Sequence, residues 1–408
     1  MNRRRILAMI MAGGKGDRLF PLTKARSKPA VPFAGKHRIV DFVLSNFINS
    51  GIYAVHLLVQ YKSQSLIEHV RSTWRWRVGG GLRDTFITVV PPQMRQGETW
   101  YQGTADAVYQ NINVIIDFRP DLIAVFGADH IYRMDLEQMV RFHQENRADV
   151  TVAALPVPLA DAPGFGVIEV DQTQRIIGFE EKPKSPKAMP GDPSQAYASM
   201  GNYLFETDLL IQTLEEDAKR DTVHDFGRTI IPNLVTKKRV FAYDFMRNAL
   251  PGIKPYEERG YWRDVGTLPA YWQAHMDMLG ATPAFDLDTA QWPIFGTVYD
   301  GPPARFIDGE VYDSLIGEGC RIEGGLVKRS VLGSAVRIGR GAEVQDCVIM
   351  DHVEIGPGVK LKGVIVDRFN SVPAGLEIGM GSGRGEERFF RDPSGLFVLE
   401  RGETRALV

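Results

Sequence analysis

The chain has 408 residues, 44% of them hydrophobic and 24% charged, with a net charge of −2, a length that asks for two domains and a balance that suits a globular protein in water. So even a charge leaves no footprint for nucleic acid or an anionic membrane, and any anion site must be local. Two cysteines, Cys320 and Cys347, argue against a disulfide framework and fit a reducing, cytoplasmic setting.

The opening imitates a secretory signal, with Arg3-Arg4-Arg5 ahead of the apolar run Ile6 to Ala12. That run has seven residues and passes straight into KGDR without an A-x-A-like site, so a strand is expected instead. No window approaches the about eighteen apolar residues of a membrane span. The strand Ile6 to Met11 ends in the glycine-rich turn Gly13-Gly14-Lys15-Gly16, followed by Arg18 and Lys28. Glycines let backbone N–H groups approach a polyanion closely, so the turn reads either as a nucleotide phosphate cradle or as a bare structural turn. The spacing is neither G-x-x-x-x-G-K-[ST] nor G-x-G-x-x-G, which sets aside the P-loop and dinucleotide fingerprints.

From there to about Gly280 short apolar runs alternate with amphipathic segments, as in βα units on a mostly parallel sheet. Further strands are expected at Ala54 to Val59, Leu122 to Phe126 and Val150 to Leu155, and helices at Asp41 to Ser50, Ser63 to Trp74 and Gly103 to Ile116, the last with Thr104 as N-cap. Ligands of open α/β sheets lie beyond the carboxyl ends of the strands, so the glycine turn, Gln60 to Lys62 and Gly127 to His130 should meet in one cleft. Asp129, in IAVFGADH, emerges there as a ligand for a hard cation or as a turn cap, and Asp264, in YWRDVGT, is a candidate partner. Lys182, in FEEKPKSP, projects from a loop stiffened by Pro183 and Pro186 and, taken by itself, reads first as a solvated charge.

Residues 281–303 turn to proline, aspartate and aromatics and read as an ordered linker between a domain at 1–280 and one at 304–408. Beyond the linker aliphatic residues recur every six positions, as at Val336, Ala342 and Val348, with glycines at Gly317, Gly333, Gly339 and Gly356. That period belongs to a parallel β-helix, with an irregular β-sandwich as the alternative. The repeat looks broken near Asp367.

Taken together, MAGGKGDRLFPLT, RSKPAVPFAGKHRIVDFVLSNFINSG, WYQGTADAVYQN, GADHIYRMD, GFGVIEV, EEKP, ASMGNYLF, HDFG and YWRDVGT resemble the glucose-1-phosphate adenylyltransferases of bacterial glycogen and plant starch synthesis. The resemblance implies a Rossmann-like, GT-A-like α/β nucleotidyltransferase domain followed by a left-handed parallel β-helix. It implies adenylyl transfer from ATP to α-D-glucose 1-phosphate with Mg²⁺, in a homotetramer regulated by a small anionic effector. By matching motif positions, Arg18, Lys28 and the amides of Gly13, Gly14 and Gly16 would bind ATP, with Gln60 and Gln93 as adenine or ribose contacts. Asp129 and Asp264 would hold Mg²⁺, and Tyr101, Gly166, Glu181, Lys182 and Ser199 would meet the sugar phosphate. Family members often carry a basic residue three positions before the KPAV lysine; here it is Ala25, flanked by Lys24 and Arg26, and with Arg38, Arg388 and Arg391 these remain the regulatory candidates.

Two other readings belong to different classes. A regulatory subunit would keep the fold and lose the chemistry, yet Arg18, Lys28 and Asp129 are all present. An acyltransferase β-helix would need a histidine base, and His352 is the sole histidine after Ile307.

Overall fold

The computed structural model describes residues 4–74, 84–94, 99–381 and 386–407. The first strand, Ile6–Met11, lies in the middle of a nine-stranded sheet, fully buried along most of its length, with Ala54–Leu58 and Leu122–Gly127 parallel on either side. Phe86–Val90 extends the parallel half. Beyond Leu122–Gly127 the long strand Gln195–Glu206 runs antiparallel and joins a second group made of Val150–Pro158, Gly166–Val170, Ile176–Glu181 and Val240–Asp244. Aliphatic residues on both faces of the central strands go into two separate cores, as expected of a sheet covered on both sides.

The helix expected from Asp41 starts two residues earlier, at Ile39, because Asp41 closes the cap from inside the first turn. Its carboxylate accepts from the Arg38 backbone N–H (2.7 Å), from His69 Nε2 (2.7 Å) and from the Trp74 indole (2.8 Å), tying Ile39–Asn49 to the helix Gln64–Thr73. The single helix expected at Gly103 to Ile116 is two, Thr104–Tyr109 and Ile112–Phe118. They part at Asn111, whose amide donates to the Ala107 carbonyl and the Tyr101 hydroxyl. Nor is Thr104 the N-cap. Gly103 holds that place, and the Thr104 hydroxyl donates to Asp225 and accepts from Phe226 N–H.

From Arg305 the chain winds into three parallel sheets stacked coil on coil, the faces of a left-handed β-helix. Inward residues such as Ile322, Val327, Leu332, Ile338, Val344 and Ile349 are 2% exposed or less. The punctuating glycines have a steric cause: a Cβ on Gly317, Gly333, Gly339 or Gly356 would lie 2.5–2.8 Å from the neighbouring coil. The winding does not break at Asp367. It runs through Ser371–Val372 and Glu377–Ile378, and Phe397–Leu399 then returns to the third face beside Val364–Val366. That face packs against the helix Leu268–Met276 in a core shared between the two halves, where Trp272 donates to the Asp346 carbonyl. Residues 292–297 lie along the helix Ile39–Asn49, Phe295 N–H donating to Ser45 and Thr297 N–H to the Lys36 carbonyl.

Candidate active site

At the carboxyl ends of Ile6–Met11 and Leu122–Gly127 opens a cavity of about 700 Å³, the size of a small-ligand site. Its lining contains Gly13, Gly14, Gly16, Arg18, Lys28, Gln60, Tyr101, Asp129, Gly166, Glu181, Lys182, Ser199 and Asp264. Of the expected substrate, nucleotide and metal residues, only Gln93 stays outside. It is exposed, and its amide bonds back to the Pro91 carbonyl.

The glycine turn has a local reason to be glycine at Gly16. It sits at φ 68°, and a Cβ there would press on Thr23 and on the Lys28 stem at 3.0 and 3.1 Å. Lys28 opens the short helical turn Lys28–Ala30 and reaches past Gly16 to the two carboxylates. Its Nζ lies 3.0 Å from Asp129 Oδ2 and 2.8 Å from Asp264 Oδ1. Burial opposes its charge, yet the two carboxylates hold the ammonium above its ordinary range. Burial works against Asp129 too, but Lys28 and His130 keep that carboxyl well below the usual carboxylate range. Asp264 arrives by a separate device. Trp262–Asp264 pairs antiparallel with His130–Tyr132, and the register sets Asp264 opposite His130.

Asp129, His130 and Asp264 each present one donor atom, all within 4.8 Å of one another. Two carboxylates around an ammonium show where positive charge is stabilised, and hard oxygen donors suit Mg²⁺. The donor set therefore fits such an ion. Arg18 stands at the rim, 71% exposed at its side chain, with Nη2 3.9 Å from Asp264 Oδ2. Gly266 makes that approach possible, since a Cβ there would lie 3.0 Å from Asp264 Oδ1 and 3.1 Å from Arg18 Nη2.

At the far end Glu181 is wedged between Gly166 and Gly227, either of which would meet Glu181 Oε2 at 2.8 Å if it carried a Cβ. Burial raises its carboxyl, with Lys182 pulling the other way. Lys182 sits at φ 51° and its side chain is 52% exposed; its Nζ comes no nearer than 3.9 Å to Glu181 Oε1, so the ammonium is open to a ligand. Ser199 and Gly201 reach the cavity because the strand Gln195–Glu206 shifts register between Ser199 and Tyr203, and the Ser199 hydroxyl accepts from Gly201 N–H at 3.2 Å. Gln60 exchanges both amide atoms with the Tyr101 backbone, so it fixes Tyr101 at the wall.

The cavity also brings in residues that sequence reasoning missed. His130 packs against Trp262, with ring centroids 4.8 Å apart and the planes tilted by 50°, and its Nε2 is 3.6 Å from Asp129 Oδ1. Asp225, in HDFG, accepts from Thr104 while lining the wall with Phe226 and Gly227. The sequence signals that point to them are a histidine next to a candidate ligand, Asp129, and the HDFG motif.

The regulatory candidates gather away from this cavity, where the two halves meet. Arg26 is 2% exposed, and its Nη2 bonds both Asp367 oxygens at 2.7 and 2.6 Å. Lys24 pairs with Glu400. Arg38 donates to the Ala30 carbonyl and to Ser65, and burial with Arg368 and Arg26 nearby lowers its guanidinium to about 10. Arg388 and Arg391 are exposed and lie over Phe389 and Phe397. The structure adds an unforeseen group: Arg368, Arg401 and Arg405 surround Phe369, whose ring stacks on His352 at 5.4 Å. His352 is thus part of a basic cluster, and its ring has an aromatic partner.

Comparison with known proteins places two family models on the chain, "Nucleotidyl transferase" over residues 7–280 and "GlmU-like, C-terminal hexapeptide" over residues 302–399. Among curated proteins it is 54% identical to a protein of Thermodesulfovibrio yellowstonii named "Glucose-1-phosphate adenylyltransferase", over 97% of this chain and 96% of that one. A protein of the same name from Anaeromyxobacter sp. is 49% identical, over 97% of this chain and 98% of its own. "Glucose-1-phosphate adenylyltransferase 1" of Vibrio parahaemolyticus is 44% identical, again over 97% and 98%.

Proposed function

This chain is a nucleotidyltransferase belonging to the glucose-1-phosphate adenylyltransferase family, and we propose that it converts ATP and α-D-glucose 1-phosphate to ADP-glucose and pyrophosphate, supplying the glucosyl donor for α-1,4-glucan synthesis. The observation that carries this reading is the assembly, in one cavity, of a carboxylate pair around Lys28 at one end and an open ammonium, Lys182, beside Glu181 at the other. A non-catalytic subunit would not need the first.

In this reading a phosphate oxygen of the sugar attacks the α-phosphorus of ATP in line. The new O–P bond forms as the bond to the bridging oxygen breaks, and pyrophosphate leaves with that electron pair. The attacking oxygen is already ionised, so no general base and no covalent intermediate are required. The chain's work is positioning and charge neutralisation. Gly13, Gly14 and Gly16 offer their amides to the triphosphate, and Arg18 and Lys28 add charge. Lys182 holds the sugar phosphate, while Glu181, Ser199, Gly166 and Tyr101 shape the pocket for the sugar. Asp129 and Asp264 would hold Mg²⁺, which when bound supplies Lewis-acid neutralisation of phosphate charge.

The same reading extends to regulation and assembly. The arginines gathered where the halves meet support reception of a small anionic effector there, with Arg38, Arg388 and Arg391 among the groups involved. A homotetramer in the cytoplasm follows from the family resemblance, and a mass measurement in solution tests it. Among the described residues no helix is long and apolar enough to cross a membrane. The experiment for the reaction is incubation with α-labelled ATP, glucose 1-phosphate and Mg²⁺, with UTP, dTTP and GTP in parallel. The label should appear in ADP-glucose, and preference for another nucleotide would refute the assignment.

A further inference from the structure

We infer that Lys28 is a resident counter-cation that holds the carboxylate pair closed to free divalent ions, so that a metal ion enters only together with a nucleotide, whose phosphates draw the ammonium away as the ion takes its place. This inference deepens the proposed function and rests on its reading of Asp129 and Asp264 as the metal pair.

Four observations lead to it. First, the ammonium bonds both carboxylates at once, at 3.0 and 2.8 Å, and is the one cation placed between them among the described residues. Second, its side chain is 7% exposed whereas those of Asp129 and Asp264 are 38% and 25% exposed, so the carboxylates are more open to the cavity than the ammonium held between them. Third, charge is nearly balanced without any ion. Both carboxylates meet Lys28 at contact and Asp264 also has Arg18 at 3.9 Å, leaving little net attraction for a dication. Fourth, the Lys28 stem passes the glycine turn, its Cβ lying 3.1 Å from where a Gly16 side chain would begin. A lysine is a point charge on a flexible four-carbon stem, and here one swing of that stem separates the carboxylates from the place where a triphosphate would lie. A dication arriving alone would have to expel the ammonium into a cavity with no anion to receive it. A dication arriving on a polyphosphate brings that anion with it.

The alternative is a fixed ion pair that only stiffens the site, and direct Mn²⁺ binding to the ligand-free protein separates the two. Free Mn²⁺ is followed by electron paramagnetic resonance in wild type, Lys28→Met, Lys28→Gln and Lys28→Arg, with circular dichroism to verify the fold. Removal of the charge in Lys28→Met or Lys28→Gln should tighten Mn²⁺ binding at least tenfold, although both variants lose turnover. Lys28→Arg, which keeps the charge, should stay within a few-fold of wild type. Adding Asp264→Asn to Lys28→Met should abolish the gain. Unchanged or weaker binding in both neutral variants would overturn the inference, as would an equal gain in Lys28→Arg, or a gain that survives Asp264→Asn. Pyrophosphate release separates this outcome from the fate of the parent reading. A working transferase whose neutral variants gain no Mn²⁺ affinity refutes the gate alone, whereas gain of affinity in a chain that never releases pyrophosphate upholds the gate and refutes the transfer.

Discussion

Asp264 sits opposite His130 across a two-stranded antiparallel ribbon, and that one pairing sets its carboxylate beside Asp129, the residue before His130 in the chain. The ribbon is separate from the main sheet. The central strand Leu122–Gly127 therefore delivers one acid, and a locally paired loop delivers the other.

Loss of one acid should cost turnover and spare the fold. Asp129 is partly exposed and partners only Lys28 and His130 among the contacts seen, so Asp129→Asn keeps its shape and removes its charge. We expect kcat to fall at least about a hundredfold, roughly 2.7 kcal/mol of transition-state stabilisation, with an unchanged circular dichroism spectrum. A variant retaining more than about a tenth of wild-type turnover at saturating Mg²⁺, less than ~1.4 kcal/mol, would contradict the metal role.

Lys182 makes no close ion pair, and its proposed partner carries charge both before and after attack. Binding that is equal in ground and transition states appears in KM. Lys182→Gln should raise KM for glucose 1-phosphate at least tenfold and leave KM for ATP within a few-fold. An equal rise in both would remove Lys182 from the sugar site.

The ribbon has its own anchor in Arg133. Its guanidinium is buried against Phe285 at 4.0 Å and bonds Glu257 at 2.7 Å, Thr289 at 2.9 Å and the Asp286 carbonyl at 2.6 Å. Cutting a buried pair strands the partner's charge, at a cost of about 3 to 5 kcal/mol. Arg133→Met should lower stability to urea by about that amount, and Arg133→Met combined with Glu257→Gln should recover part of it. A single variant as stable as wild type would show that the network holds nothing.

Acid should destabilise the chain well above the carboxylate range. His275 is fully buried as a neutral ring, Nδ1 donating to the Tyr271 carbonyl and Nε2 accepting from Ala34 N–H. Burial lowers its pKa to about 4, and does the same for His37. Below about 6.5 an unfolded histidine takes up a proton that these two refuse until about 4. Their contribution is therefore complete above about 6.5 and is lost as pH falls toward 4, by up to about 1.4 kcal/mol per pH unit for each. Urea unfolding at pH 7.5 and 5 should show a drop of at least about 2 kcal/mol. Equal stability at the two values would contradict the buried neutral assignment.

Much of this is legible in the amino-acid sequence. The apolar runs gave the central strands because a buried parallel strand needs only an unbroken hydrophobic stretch, and the six-residue period gave the β-helix because each face takes one inward aliphatic. The glycine turn and Asp129 were readable because both lie directly at strand ends. Contacts across long sequence distances were not. Nothing local to YWRDVGT says that it pairs with residues 130–132, and nothing in KARSK says that Arg26 is consumed by Asp367. Thr104 misled because a threonine after a glycine reads as a cap, while its real partner, Asp225, lies far along the chain. Lys28 read as a phosphate ligand; that it neutralises both acids in the free protein depends on three segments meeting.

Adenylyl transfer to a sugar phosphate is checked by measuring pyrophosphate and ADP-glucose together in one mixture of the protein, ATP, glucose 1-phosphate and Mg²⁺. The two products should rise in equal amounts, and neither should form when any one component is left out. Pyrophosphate appearing without glucose 1-phosphate, or no ADP-glucose from the complete mixture, would contradict it.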